Sequence, residues 1–264
     1  MLIKRCVLAT AAVLLSASLL GAHDFWLVPV GDRIHGVSSS NFPRSDGAVN
    51  PTRLAEALVV SAAGRRPLEV VGPGTTPQGD SVLVLRADPT ITGTFWAAVA
   101  IKPRRIDLRA EQFNEYLEHD GLPQILALRR QRGHLSRPAV ERYQKYAKAL
   151  LTSGRGPSVA LQPVGHRLEL VPLADPAGLG AGDTLRLVVR FDDRPAPGLT
   201  VHAGYEGQPG GSHAQTHLSD ARGEVAVPIS GTGLWYVRTI HMREIEEPPF
   251  EWESFWASLT FRVP

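Results

Sequence analysis

The residues of this chain best suited to chemistry are its histidines, and the first of them is set apart by what precedes it. Residues 1–22 carry Lys4 and Arg5, then the uncharged apolar run Cys6–Leu20, then Gly21-Ala22. That is the order of a secretory signal peptide. Cleavage after Ala22 would make His23 the mature N-terminus. A terminal histidine supplies two donors from one residue, the α-amine and ring Nδ1, which together chelate one metal ion. A second imidazole would complete a T-shaped three-nitrogen site suited to Cu(II), with Ni(II) or Co(II) also accommodated. The amine has an ordinary pKa near ~8, so metal binding near neutral pH would release its proton.

Four other histidines are candidates for that second imidazole. His241 ends an expected strand, Trp235–His241, among aromatic residues, and is the first choice. His202 lies on an expected strand just before Gly204. His213 and His217 are spaced i, i+4 in the glycine-rich stretch Gly207–His217, a loop that could close on a metal. His35, His119, His134 and His166 fall in turn or helix-edge contexts and receive no role. After cleavage Met242 is the only methionine, which excludes a Met-rich Cu(I) site.

Several chemistries are absent. Cys6 is the one cysteine and leaves with the signal, so no disulfide, thiolate zinc site or iron–sulfur cluster is available. No glycine-rich phosphate loop and no Gly-x-Ser-x-Gly elbow occurs. The chain has 28 Lys+Arg against 26 Asp+Glu, and loss of Lys4 and Arg5 leaves 26 of each. A neutral mature chain gives no electrostatic case for nucleic acid. The fifteen-residue run Cys6–Leu20 is short for a membrane span of about 20 residues, which favours a cleaved signal over an anchor. The expected location is periplasmic or otherwise exported, soluble after cleavage.

The elements that must position these residues read as mainly β: two β-sandwich-like units with a helical insertion between them. Residues 23–106 form the N-terminal unit, with strands at 24–28, 57–60, 68–71, 81–86 and 93–101 and a turn-rich 31–55 with room for one more. Residues 107–153 form the helical insertion. Phe113, Tyr116 and Leu117 carry helical spacing that Gly121 stops, Pro123 opens a second helix, and Ser136 caps a third. In that third helix Val140, Tyr143, Ala147, Leu150 and Leu151 would make the apolar face. Arg137, Glu141, Arg142, Lys145 and Lys148 would make a solvated one. Residues 165–264 have the size and rhythm of an immunoglobulin-like or transthyretin-like sandwich, closing on a strand that puts Phe255, Ala257, Leu259, Phe261 and Val263 on one face.

Several segments together resemble a bacterial family of exported proteins of unknown function. They are Ala22-His23-Asp24-Phe25-Trp26-Leu27, Phe113–Leu117 with Gly121-Leu122, Glu141–Leu151, Gly165–Pro172, Ser219–Gly223, Gly233-Leu234-Trp235 and Glu253–Phe261. Members are commonly described as periplasmic components of a cobalt or nickel uptake system. The resemblance implies histidines at the positions of His23 and His241, and a metal ion and a membrane transport complex as partners. Where relatives carry Gly-His or Gly-Glu before Phe-Pro, this chain has Ser39-Ser40-Asn41-Phe42-Pro43.

The leading expectation is therefore a non-enzymatic metal-binding accessory protein. A metal-free binding module is the alternative, recognising a surface protein or saccharide through Trp252, Trp256 and the acidic run Glu244–Glu253. A third reading is a copper oxidase of the N-terminal-histidine type, which requires a flat aromatic-lined face around the metal.

Overall fold

In this computed structural model, which describes residues 23–208 and 213–264, the alternating runs become strands. The expected signal segment, 1–22, lies outside the described residues. β1 (Asp24–Val30), β2 (Arg33–Ser39), β3 (Leu54–Ser61), β4 (Gly64–Pro67), β5 (Glu69–Thr75), β6 (Ser81–Arg86), β7 (Gly93–Ile101) and β8 (Arg104–Leu108) come first. Two helices follow, α1 (Ala110–His119) and α2 (Pro123–Gln131). The remainder is β9 (Ala139–Ser153), β10 (Leu168–Pro172), β11 (Thr184–Phe191), β12 (Arg194–Pro195), β13 (Thr200–Tyr205), β14 (Gln215–Leu218), β15 (Glu224–Pro228), β16 (Gly233–Glu247) and β17 (Phe250–Val263). The fold is mainly β, with a sandwich-like layering of three sheets.

The middle sheet is nine-stranded, in the order β14-β13-β16-β17-β9-β7-β3-β4 with β8 also paired to β9. It takes strands from 23–106, 107–153 and 165–264 alike, so the expected boundaries run through one continuous sheet. A four-stranded sheet, β1-β2-β6-β5, covers part of one face. The other four-stranded sheet, built on β10, β11, β12 and β15, packs on the opposite face through β10 and β17.

The expected third helix is instead β9, fifteen residues in the centre of the large sheet, antiparallel to β7 and parallel to β17. Ala, Lys, Leu and Glu are good helix formers, but propensity differences are below about 0.7 kcal/mol per residue. Burying one large apolar side chain is worth roughly 1.5–3 kcal/mol, and as a strand the segment buries both faces. Tyr146 and Leu150 go to one side, Ala147 and Ala149 to the other. The charges expected on a solvated helix face are displaced accordingly. Glu141 is 2% exposed and Lys148 only 1%. Strand alternation puts Glu141, Tyr143 and Lys145 in a row on one face and Lys148 on the other.

Two helices form as expected. Gly121 takes φ +77° directly after the α1 cap residue Asp120, and the Leu122 amide donates to the Leu117 carbonyl at 2.9 Å. This is the Schellman closure, which requires a left-handed residue. A Cβ on Gly121 would also meet Thr200 Cγ2 at 2.6 Å, so α1 ends tightly against β13. Phe113, Tyr116, Leu117, Leu122 and Ile125 then pack on Ile240, Met242, Trp252 and Trp256, the side chains of β16 and β17 that share the Lys145 face. That face is thus covered at one end by α1 and α2 and at the other by β1. The hydroxyl of Ser258 donates to the Phe25 carbonyl at 2.6 Å, and that of Thr260 donates to the Leu27 carbonyl, tying β1 to β17. No helix among the described residues is long and apolar enough to cross a membrane.

Candidate functional site

Between these two coverings lies a cavity of about 440 Å³ whose floor is the large sheet. β9 contributes Glu141, Tyr143 and Lys145 to the floor and β17 contributes Trp256. Phe25, Ser38 and Val49 form one wall, and Leu108, Tyr116 and Asp120 the other. His23 and His119 line the same space.

The buried charges are arranged around this floor. Burial pushes the Glu141 carboxyl up to about 7, against the opposing pull of hydroxyl hydrogen bonds from Ser254 and Tyr116. Burial draws the Lys145 ammonium down to about 8, with Asp24, Asp120 and Glu141 resisting and Arg53 adding to the shift. Lys145 donates to the main-chain carbonyl of His23 and lies 4.6 Å from the Trp256 ring centroid. Arg238, 1% exposed, pairs with Asp24 at 3.2 Å and donates to Asp120. Asp24 is itself pushed up to about 6 by burial, which Arg238 only partly offsets. The residue following His23 is thereby anchored in the interior.

His23 is held rather than loose. Its ring Nδ1 is buried and 3.2 Å from Asp46 Oδ2, yet makes no hydrogen bond, so the carboxylate oxygen lies away from the ring's in-plane lone-pair axis. Asp46 is placed by its own amide, which donates to the Ser38 carbonyl at 2.9 Å on β2.

His241 is elsewhere. Its ring packs against Phe191, 4.4 Å between centroids, on the face of the large sheet opposite Lys145. The sheet therefore separates it from His23. His202 and His213 do meet, their rings stacked at 4.6 Å on the Lys145 face beside Arg238. Arg238 Nη2 lies 3.0 Å from His213 Nε2, and His202 Nδ1 lies 3.1 Å from Thr216 Oγ1. Burial first, then the Arg238 charge, holds both imidazoles well below their ordinary range, His202 at about 4. A guanidinium at that distance opposes a metal ion, so the pair serves to pack His213 against the sheet. His217, on β14, has Nε2 3.1 Å from Gln215 Oε1. Among the described residues, no three or more His, Asp or Glu side chains converge as a metal cluster.

Trp252 and Trp256 are each 3% exposed, so neither lies on an outer surface as a saccharide-binding face would require. The concave cavity at His23 likewise differs from the flat aromatic surface that the copper-oxidase reading needs. Asp46, Arg53, Asp120, Glu141 and Lys145 were not among the sequence candidates. Glu141 and Lys145 had a signal, two charges at i, i+4, but it is read correctly only with a strand period.

No curated protein matches the chain. A family profile matches residues 20–243, most of the chain. The chain belongs to that family, described as Domain of unknown function (DUF4198).

Proposed function

We propose that the protein is an exported, non-enzymatic metal-binding protein, an accessory to nickel or cobalt uptake, in which processing after Ala22 frees the His23 amine as a metal donor. The observation that carries it is the buried, hydrogen-bond-free Nδ1 of His23 with the Asp46 carboxylate 3.2 Å away. Two ligands at about 2.0–2.2 Å from a shared ion sit roughly 3 Å apart, each off the other's lone-pair axis. The amine, Nδ1 and Asp46 make a two-nitrogen, one-oxygen donor set that suits Cu(II), Ni(II) or Co(II), in falling order of affinity. Asp46 takes the place that His241 was expected to fill. The amine is not a side chain, so the donor set is complete only in the processed chain.

Calorimetric titration of the chain beginning at His23 with Cu(II), Ni(II) and Co(II) tests this, beside a chain carrying one alanine ahead of His23. One-to-one binding that weakens at least about tenfold in the extended chain, a loss of about 1.4 kcal/mol, is expected. Equal affinities would sink the proposal. The uptake role further requires that cells lacking the protein accumulate less nickel or cobalt at limiting supply.

A further inference from the structure

The cavity sets two cations among the carboxyls Glu115, Asp120 and Glu141. Arg53 and Lys145 both line it. Asp24 and Asp120 are both taken by Arg238 beside the floor. Glu141 is the remaining carboxyl there, and it accepts from Tyr116 and Ser254. Glu115 and His119 stand at the exposed rim. Lys145 spends one of its three donors on a neutral main-chain carbonyl, that of His23. Arg53 Nε is buried with no hydrogen-bond partner among the described residues. A buried guanidinium donor left unmade is costly, and a ligand oxygen would remove that cost.

Arg53 is also firmly placed. It ends the short turn Pro51–Arg53, capped by Asn50 Oδ1, which accepts from the Thr52 amide at 2.9 Å. Its own carbonyl accepts from the Lys102 amide at 2.8 Å. The two cations are close enough for Arg53 to depress proton binding at Lys145. The rest of the lining is apolar or aromatic: Phe25, Val49, Ile101, Ile106, Leu108 and Trp256. A volume of about 440 Å³ is within the range of small-molecule sites.

We propose that this cavity binds a small organic carboxylate, its head between the Arg53 guanidinium and the Lys145 ammonium and its apolar body against Phe25, Ile101, Leu108 and Trp256. A planar carboxylate matches the guanidinium fork and offers an acceptor to the unpartnered Arg53 Nε. An aromatic or short aliphatic acid fits; a polyanion or a sugar does not match the apolar walls. The site shares its cavity with His23, but its two cations, Arg53 and Lys145, are not metal donors and the proposal needs no metal.

The test uses the chain beginning at His23, stripped of metal and dialysed free of chelator, so that failure of the metal proposal leaves it untouched. Benzoate, hexanoate, benzamide and benzylamine are titrated by calorimetry and by ligand-observed NMR. At least one of the two acids should saturate at or below about 1 mM. Benzamide and benzylamine should bind at least about tenfold more weakly. Arg53→Gln should weaken the acid about tenfold while leaving benzamide unchanged, and Arg53→Lys, which keeps the charge and loses the fork, should recover only part of the affinity. Binding of neither acid, equal binding of the amide, or preference for the amine overturns the proposal. Should Arg53→Gln fail to fold, the comparison of ligands on the unaltered chain decides alone.

Discussion

Lys145 reaches across 122 positions of sequence to donate to the main-chain carbonyl of His23. One bond joins the middle of the central strand β9 to the first described residue. It places the candidate metal donor directly above the candidate anion site, and it exists because β1 crosses β9 and β17 on the face that Lys145 shares with Trp256. The residue expected on a solvated helix face is thus the one that holds the terminus.

Asp46→Ala tests the donor set without disturbing the fold. The Asp46 side chain is 53% exposed, so its removal should change thermal stability little. Metal affinity of the chain beginning at His23 should fall about tenfold or more, read by calorimetry. An unchanged affinity would mean that the carboxylate is only a neighbour of the ring.

Glu141→Gln should change how stability depends on pH. The folded protein holds the Glu141 proton more tightly than the unfolded chain does, up to about 7 against an ordinary 4.5. Its contribution is therefore fully present below about 4.5 and is lost as pH rises to about 7. The variant should gain stability relative to the parent across that window, by on the order of 3 kcal/mol at pH 8. His166 and His202, lowered to about 4 by burial, act in the opposite direction as pH rises to 6.5. The readout is accordingly the difference between variant and parent in urea denaturation at several pH values, and parallel curves would refute it.

On the other face of β9, Lys148 donates to Glu169 at 2.6 Å, and Glu169 also accepts the Val164 and Gly165 amides at 2.7 and 3.0 Å. Lys148→Met leaves a buried carboxylate without its cation and should cost about 3–5 kcal/mol. Adding Glu169→Gln should restore part of that loss, because it removes the unpaired charge while its one amide oxygen keeps one of the two main-chain bonds, which fall on different carboxylate oxygens. A double variant no more stable than Lys148→Met alone would show that the pair is not a unit.

Ser258→Ala and Thr260→Val should each lower stability by about 1 kcal/mol, since each removes a buried hydroxyl donor to a β1 carbonyl. Hydrogen exchange should speed up first in β1 and only later in β16 and β17. Uniform acceleration would mean that β1 does not open separately.

The mainly β class was legible because turn residues punctuate the chain, and the apolar runs 81–86 and 93–101 coincide with β6 and β7. The last strand was equally clear, since Phe255, Ala257, Leu259, Phe261 and Val263 alternate without interruption. β9 was not legible. Its two faces are both buried, so it lacks the polar–apolar alternation of a half-exposed strand, and its Ala, Lys and Leu content favours a helix locally. Misreading its period also concealed the floor of the cavity. His23 could be singled out from the residues before it, whereas Asp46 and Arg53 lie in turns that carry no signal of what they face.

By itself the sequence determined the mainly β fold and the two helices ending at Gly121 and before Gly133. Which residues gather around His23 was decided only in three dimensions. Strand pairing sends His241 and Lys145 to opposite faces of one sheet, and a parallel contact between β17 and β9, distant in sequence, lays down the cavity floor. Local spacing cannot encode such pairings, because they are selected by burial summed over strands far apart along the chain.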